Sequence, residues 1–251
     1  MSKKGKKEDA KSFFDSWFFI IGFFIFLPLA FRVLVFSPYH IPSGSMKPTL
    51  LEGDFIFVAK YSYGYSRYTF PFDIKLFEGR KNFSEPKRGD IVVFRPPLIT
   101  RRDDYIKRLI GLPGDKIQVK DGELFINGKA VQREQIANLE VENEEGKKFI
   151  IKQYKETLDT GVSYTTWDVT KQGALDNTEE FTIPEDNYFM MGDNRDNSRD
   201  SRDEHIGFIP KEYLIGKAKV IVFSTKESVL KIWKWPSIFR TERFFKDINV
   251  N

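Results

Sequence analysis

Two serines one residue apart, Ser43 and Ser45, occupy the stretch "HIPSGSMKPTLLEGD", just beyond a long apolar segment. Pro, Gly and Ser mark turns, and a turn alone accounts for such a sequence. The alternative is a nucleophilic hydroxyl, which needs a base beside it. A candidate base lies in "RRDDYIKRLIGLPGD". Side chains alternate along an extended strand, so Tyr105, Lys107 and Leu109 share one face, and Ile106, Arg108 and Ile110 the other. An amine between an aromatic ring and a leucine loses solvent, and burial disfavours its charged form. Lowering a lysine from ~10.4 to ~7–8, where it could take a proton from serine, costs the ammonium about 3–5 kcal/mol. The competing reading is a solvated Lys-Arg pair.

The third stretch is "MGDNRDNSRDSRDEH". Its acids suggest calcium, but the spacing is not that of an EF-hand, the glycine is missing, and Arg195, Arg199 and Arg202 interleave with the acids. Alternating Asp, Arg and Ser fit a self-satisfied network that rigidifies a loop and holds a neighbouring group. No metal site and no cofactor are assigned.

The composition narrows the choices. There are 251 residues, a net charge of +4, no cysteine and two histidines, His40 and His205. The charge is too mild to argue for nucleic acid, and thiolate chemistry and disulfides are excluded.

These groups must be positioned by something. "MSKKGKKEDAK" carries five lysines, and from Trp17 to Phe36 only Gly22, Pro28 and Arg32 interrupt an apolar run. Twenty helical residues rise about 30 Å, the thickness of a bilayer core. Pro28 is tolerable in a membrane helix, and Arg32 can snorkel to the interface. The lysines predict a cytoplasmic N-terminus, with everything after Ser37 on the outer face. A cleaved signal peptide has a shorter apolar core ending at small residues, so an uncleaved anchor is preferred.

Beyond it, "GDFIFVAKYSYGY", "GDIVVFRPP", "DYIKRLIGLPGD", "DKIQVKDGELFINGKAV", "YFMMGDN" and "GKAKVIVFST" read as short strands, with "VKDGEL" a tight hairpin. Residues 132–180 are polar and poor in aliphatics, as expected of an inserted, partly exposed β ribbon outside the core. The C-terminal "LKIWKWPSIFRTERFFKDI", with Trp233, Trp235, Phe239, Phe244 and Phe245, either packs on the core or rests on the membrane interface.

"PSGSMKPTL", "GDFIFVAKYSYG", "RGDIVVFRPP", "YIKRLIGLPGD" and "GDNRDNSRDSR", in this order after an N-terminal apolar segment, closely resemble the boxes of the bacterial type I signal peptidases (leader peptidases). The resemblance covers roughly 37–130 and 184–225 and omits the middle. It implies a mainly β protein: a β-rich catalytic core with an inserted smaller β unit, preceded by one transmembrane helix. The corresponding division is a basic tail (1–12), anchor (13–36), core (37–131), insertion (132–183), core (184–228) and an aromatic, basic tail (229–251).

It also implies a serine protease with a Ser/Lys dyad. Ser45 matches the nucleophile, Lys107 the general base, and Ser43 the serine that completes the oxyanion hole with the Ser45 amide. Ser198 and Asp200 match the pair that orients the lysine, Ser198 by a direct hydrogen bond to the amine. Arg195, Asp196 and Arg202 match positions that buttress the loop. Tyr39, Ile41, Met46, Leu50, Tyr105 and Ile106 match positions near the substrate pockets. Bulky linings there would admit only small residues, the Ala-x-Ala pattern that ends a signal peptide. The implied partners are signal peptides of exported preproteins, membrane lipid and a nearby secretion translocon, without nucleic acid. The implied location is the bacterial cytoplasmic membrane, with the catalytic part on its outer face. The sequence leaves the oligomeric state open. It departs from the usual pattern at Asp203–Ile206, a longer polar stretch before Gly207 that puts the packing near Arg202 in question.

Three rivals are weighed. A Ser/His hydrolase would use His40 or His205, but no partner carboxylate is evident near His40. A Ser-x-x-Lys acyl enzyme fails, because Met46 and Pro48 stand three residues after Ser43 and Ser45. A non-enzymatic anchored β protein would need neither a neutral Lys107 nor a reactive Ser45.

Overall fold

The structure is a computed structural model that describes residues 5–142, 146, 148–227 and 235–248. After an N-terminal helix, α1 (Gly5–Leu34), the chain is built of strands. They are β1 (Phe36–His40), β2 (Asp54–Ala59), β3 (Ile91–Phe94), β4 (Tyr105–Gly111), β5 (Lys116–Lys120), β6 (Glu123–Ile126), β7 (Lys129–Ala130) and β8 (Gln132–Glu142). There follow β9 (Lys148–Thr157), β10 (Ser163–Asp168), β11 (Phe181–Thr182), β12 (Asn187–Met191), β13 (Ile209–Pro210), β14 (Leu214–Ser224) and β15 (Lys246–Asp247). The fold is mainly β, as expected.

The largest sheet runs β1-β2-β14-β3-β4-β12-β13, with β15 on β14, and each pairing is antiparallel. β3 is central and buried on both faces, which explains its unbroken "IVVF". Ile91 and Val93 pack with Ile56, Val58, Ile215 and Ile221. Val92 and Phe94 pack on the other side with Tyr188, Met190 and Leu214. Strand β14 lies between β2 and β3, so it joins the two halves of the sheet. A four-stranded sheet, β11-β5-β6-β7, carries the predicted hairpin. Asp121 and Gly122 at its tip both take left-handed backbone (φ 49° and 75°), as a tight two-residue turn with the twist of its strands requires.

Strands β8, β9 and β10 form a separate three-stranded sheet, in the order β10-β9-β8, while β11 returns to pair with β5. The expectation that this stretch stays outside the core needs correcting. β8 is largely exposed, but Leu158 and Tyr164 join the cluster of Ile110, Ile117 and Phe189, and Glu156, Thr166 and Asp168 are buried. Part of its polarity is thus buried, with Glu156 paired to Arg195 and Asp168 to Arg133.

Side chains of α1 are described at Trp17 and from Ile20 onward, and Phe23, Phe24, Ile25, Phe26, Leu27 and Leu29 are exposed. Among the described residues no helix is long and apolar enough to cross a membrane. The lysines at positions 3 and 4 lie outside the described residues, as does Trp233. The described C-terminal part, 235–248, packs on the core: Ile238 and Ile248 are buried, Phe239 stands edge-on to Phe223, and Phe245 remains exposed.

Arg243 fixes this segment. Its Nε donates to Asp54 Oδ1 (3.0 Å) and its Nη2 to Asp54 Oδ2 (2.5 Å), and Asp54 has no solvent exposure. Removing one partner of a buried pair strands the other charge. Arg243→Ala should therefore lose about 3–5 kcal/mol of stability, read as a lowered urea midpoint.

Candidate active site

Ser45 lies in a single 3-10 turn, Gly44–Met46, between β1 and β2, with its backbone pinned by the loop after β12. Asn194 N donates to Ser45 O (3.1 Å), and Asn194 Nδ2 donates to Gly44 O (3.0 Å). Lys107 comes from the middle of β4 and is 4% exposed. Its Nζ lies 2.6 Å from Ser45 Oγ and donates to Ile106 O at 3.1 Å. Ser43 Oγ is 3.4 Å from Ser45 Oγ. The alternation of β4 thus delivers a lysine whose ammonium has lost its water. Burial drives its pKa down to about 8, against the opposing pull of the Asp200 and Asp193 carboxylates. The solvated Lys-Arg reading fails for both residues.

Arg108 is equally buried. It clasps Asp193 through Nε (2.8 Å) and Nη2 (2.7 Å), and its guanidinium lies 4.0 Å over the Tyr164 ring. Asp200, with no solvent exposure, is held by Arg202 through two bonds of 2.9 Å and accepts the Gly192 amide at 2.9 Å. Burial would raise the Asp200 carboxyl, but Arg202 and these hydrogen bonds outweigh it and keep the group below its ordinary value. Arg202 also donates to Arg195 O (2.8 Å). The polar stretch after it folds back: Arg199 and His205 both reach Asp203, and Ile206 is fully buried. The packing around Arg202 is intact.

The expected contacts are met unevenly. Ser198 is buried near the site, and its hydroxyl helps hold the Asp200 carboxyl down, while the Lys107 amine bonds to Ser45 and Ile106 and not to Ser198. Arg195 pairs with Glu156 of β9, and Asp196 accepts Val169 N (2.6 Å) and Thr170 N (3.1 Å), so both buttress the loop through the insertion. Tyr39, Tyr105 and Ile106 line a groove of about 670 Å³ that contains Ser43, Ser45 and Lys107. Ile41, Met46 and Leu50 lie behind it in the core with Ile56 and Val58. His40 packs on Phe55 (4.8 Å) and His205 binds Asp203, so neither touches Ser45. Asn194, Asp193, Glu156 and Tyr164 were missed by sequence reasoning. The Gly-Asp-Asn run contained two of them, and nothing in the insertion's composition pointed to the others.

Residues 14–223 match the family described as signal peptidase, peptidase S26. The chain belongs to the signal peptidase S26 family. It is 43% identical over 248 residues to the signal peptidase I of Rickettsia canadensis, covering 90% of this chain and 91% of that one. To the signal peptidase I of Rickettsia prowazekii it is 44% identical over 248 residues, with the same coverage. To that of Rickettsia conorii it is 42% identical over 268 residues, covering 98% and 96%. As a signal peptidase family member the chain is a serine peptidase, a hydrolase of peptide bonds.

Gly192 separates the loop from the serine turn. A Cβ on it would stand 2.1 Å from Ser198 Oγ and 2.6 Å from Ser45 O. Gly192→Ala should push both away and destabilise the protein by about 1–3 kcal/mol, measured by urea unfolding. A variant as stable as the parent would show that the loop can give way.

Proposed function

We propose that this signal peptidase removes signal peptides from exported preproteins by a Ser45/Lys107 dyad, cutting after an Ala-x-Ala site. The observation that carries this reading is the 2.6 Å approach of a buried amine, lowered to about 8, to Ser45 Oγ. The neutral amine takes the hydroxyl proton as Oγ attacks the scissile carbonyl, and the ammonium then protonates the leaving amine. Negative charge on the carbonyl oxygen is met by the Ser45 amide and the Ser43 hydroxyl. Water then releases the acyl group from Ser45, with Lys107 again the base.

Asp200 and Ser198 are read as orienting Lys107, Asp200 through a pull on the ammonium that Arg202 tempers, and Ser198 through its hydroxyl. The peptide lies extended in that groove, where Tyr39, Tyr105 and Ile106 leave room for small side chains. Residues 37–131 and 184–228 act as the catalytic core around the insertion 132–183, and no cofactor enters the chemistry.

Residues 13–36 are read as an anchor in the bacterial cytoplasmic membrane, with the N-terminus inside and the catalytic part outside, near lipid and the secretion translocon. Supporting this, α1 exposes Phe, Ile and Leu on its described turns, which water does not favour and lipid does. Protease added to the outer face should digest residues beyond Ser37 and spare the N-terminal lysines. The reverse pattern would remove the topology.

The dyad is tested with a preprotein carrying Ala-x-Ala and the cut site read by mass spectrometry. Ser45→Ala and Lys107→Arg should both stay folded and lose activity by about 10³-fold or more, since arginine keeps the charge but cannot deprotonate. Activity of the parent should rise with pH through about 8, as the amine loses its proton. His40→Ala should keep most activity. An active Lys107→Arg enzyme would sink the dyad.

A further inference from the structure

Outside the proposed dyad, three carboxylates meet where the insertion touches the loop carrying Ser198 and Asp200. Asp168 ends β10, Asp176 follows it in the next loop, and Asp196 comes from the catalytic loop itself. One oxygen from each lies within 4.8 Å of the other two. Asp168 is 2% exposed, and while its Oδ2 accepts Arg133 Nη2 at 2.5 Å, its Oδ1 is buried without a hydrogen-bond partner among the described residues. Asp176 is 1% exposed, and its Oδ2 accepts the Gly173 amide at 2.7 Å. Asp196 opens to solvent. Gly173 keeps the approach clear: a Cβ there would stand 2.6 Å from Asp196 Oδ1 and 3.0 Å from Asp176 Oδ2.

The cations facing this cluster are committed to other acids as well. Arg133 is also 3.5 Å from Glu156, which takes Arg195; Arg202 is bound by Asp200; and Lys171 is 3.8 Å from Glu123. We propose that Asp168, Asp176 and Asp196 form a divalent-cation site of the calcium class that clasps the insertion to the catalytic loop. Hard oxygen donors without nitrogen or sulfur select such an ion. Ca²⁺ accepts about six to eight oxygens in flexible geometry, which suits carboxylates already tethered by Arg133, Gly173 and Val169, whereas Mg²⁺ demands a near-ideal octahedron. Asp196 gives an entry path, and water fills the remaining positions. The EF-hand rule misses this site because it demands one continuous loop, and here three segments contribute.

Burial, together with the neighbouring carboxylates, pushes the Asp168 and Asp176 carboxyls upward. The rival account is therefore a proton shared among the acids in place of a metal. The two differ in a binding measurement that needs no cleavage, so its outcome is independent of the dyad. The full chain in detergent is titrated with Tb³⁺, whose luminescence Trp167, next to Asp168, can sensitise, and Ca²⁺ is added as competitor. Thermal midpoints are measured in EDTA and in CaCl₂.

The expected result is Ca²⁺-displaceable luminescence with a Ca²⁺ dissociation constant of about 0.1–1 mM, and a midpoint higher in CaCl₂ than in EDTA. Both effects should be lost in Asp176→Asn and in the solvent-facing Asp196→Asn. No displaceable Tb³⁺ signal, or equal midpoints in the two buffers, overturns the proposal. So does a signal retained in both variants, or tighter competition by Mg²⁺. An Asp176→Asn chain more stable than the parent in EDTA and CaCl₂ alike assigns the cluster to a shared proton.

Discussion

The surroundings of Ser45 are organised about one electrostatic feature: the Lys107 amine sits without water and without a full counter-charge of its own. Holding it near 8 in place of 10.5 costs the ammonium about 3 kcal/mol. A free carboxylate beside it would undo this by stabilising the charged form. Asp193 and Asp200 are both close enough to pull in that direction, and each is occupied by a guanidinium, Arg108 and Arg202 respectively. Those arginines therefore protect the amine's neutrality as well as holding the loop.

Buried ion pairs are poor sources of stability, because the desolvation of two charges offsets their attraction. They are good at fixing geometry, since a bidentate guanidinium allows little misalignment. Arg108, Arg195 and Arg202 each tie a different part of the catalytic loop, to β4, to β9 and to itself. The Asn194 bonds to Gly44 and Ser45 then pass that order on to the serine turn. The loop's conformation thus depends on its neighbours, and the insertion, through Glu156, is one of them.

The sequence was legible where local rules applied. Alternation in β4 separated Lys107 from Arg108, Asp-Gly marked the hairpin, and the family boxes named the groups now found around Ser45. It was illegible where a residue's role depends on a distant partner. Glu156 and Tyr164 looked like ordinary members of a polar ribbon, because their burial is made possible by arginines far along the chain. Ile41, Met46 and Leu50 have the composition of a pocket lining, but an apolar side chain looks the same in front of a groove as behind it. The C-terminal segment mixed aromatic and basic residues in a way that suited lipid or protein equally, and its tie to the core, Arg243 on Asp54, depends on a partner far along the chain.

The position of β14 has a consequence for the order in which the molecule comes into being. Ser45 belongs to the half-sheet of β1 and β2, and Lys107 to the half-sheet of β3, β4 and β12, and the strand that zips the halves together is residues 214–224. A chain still being synthesised carries both groups long before it carries that zipper. Its serine and lysine then belong to two unjoined pieces of sheet, and the loop of residues 192–202 has no finished floor to close upon. The 2.6 Å approach of Lys107 to Ser45 thus rests on a strand that is made after both of them.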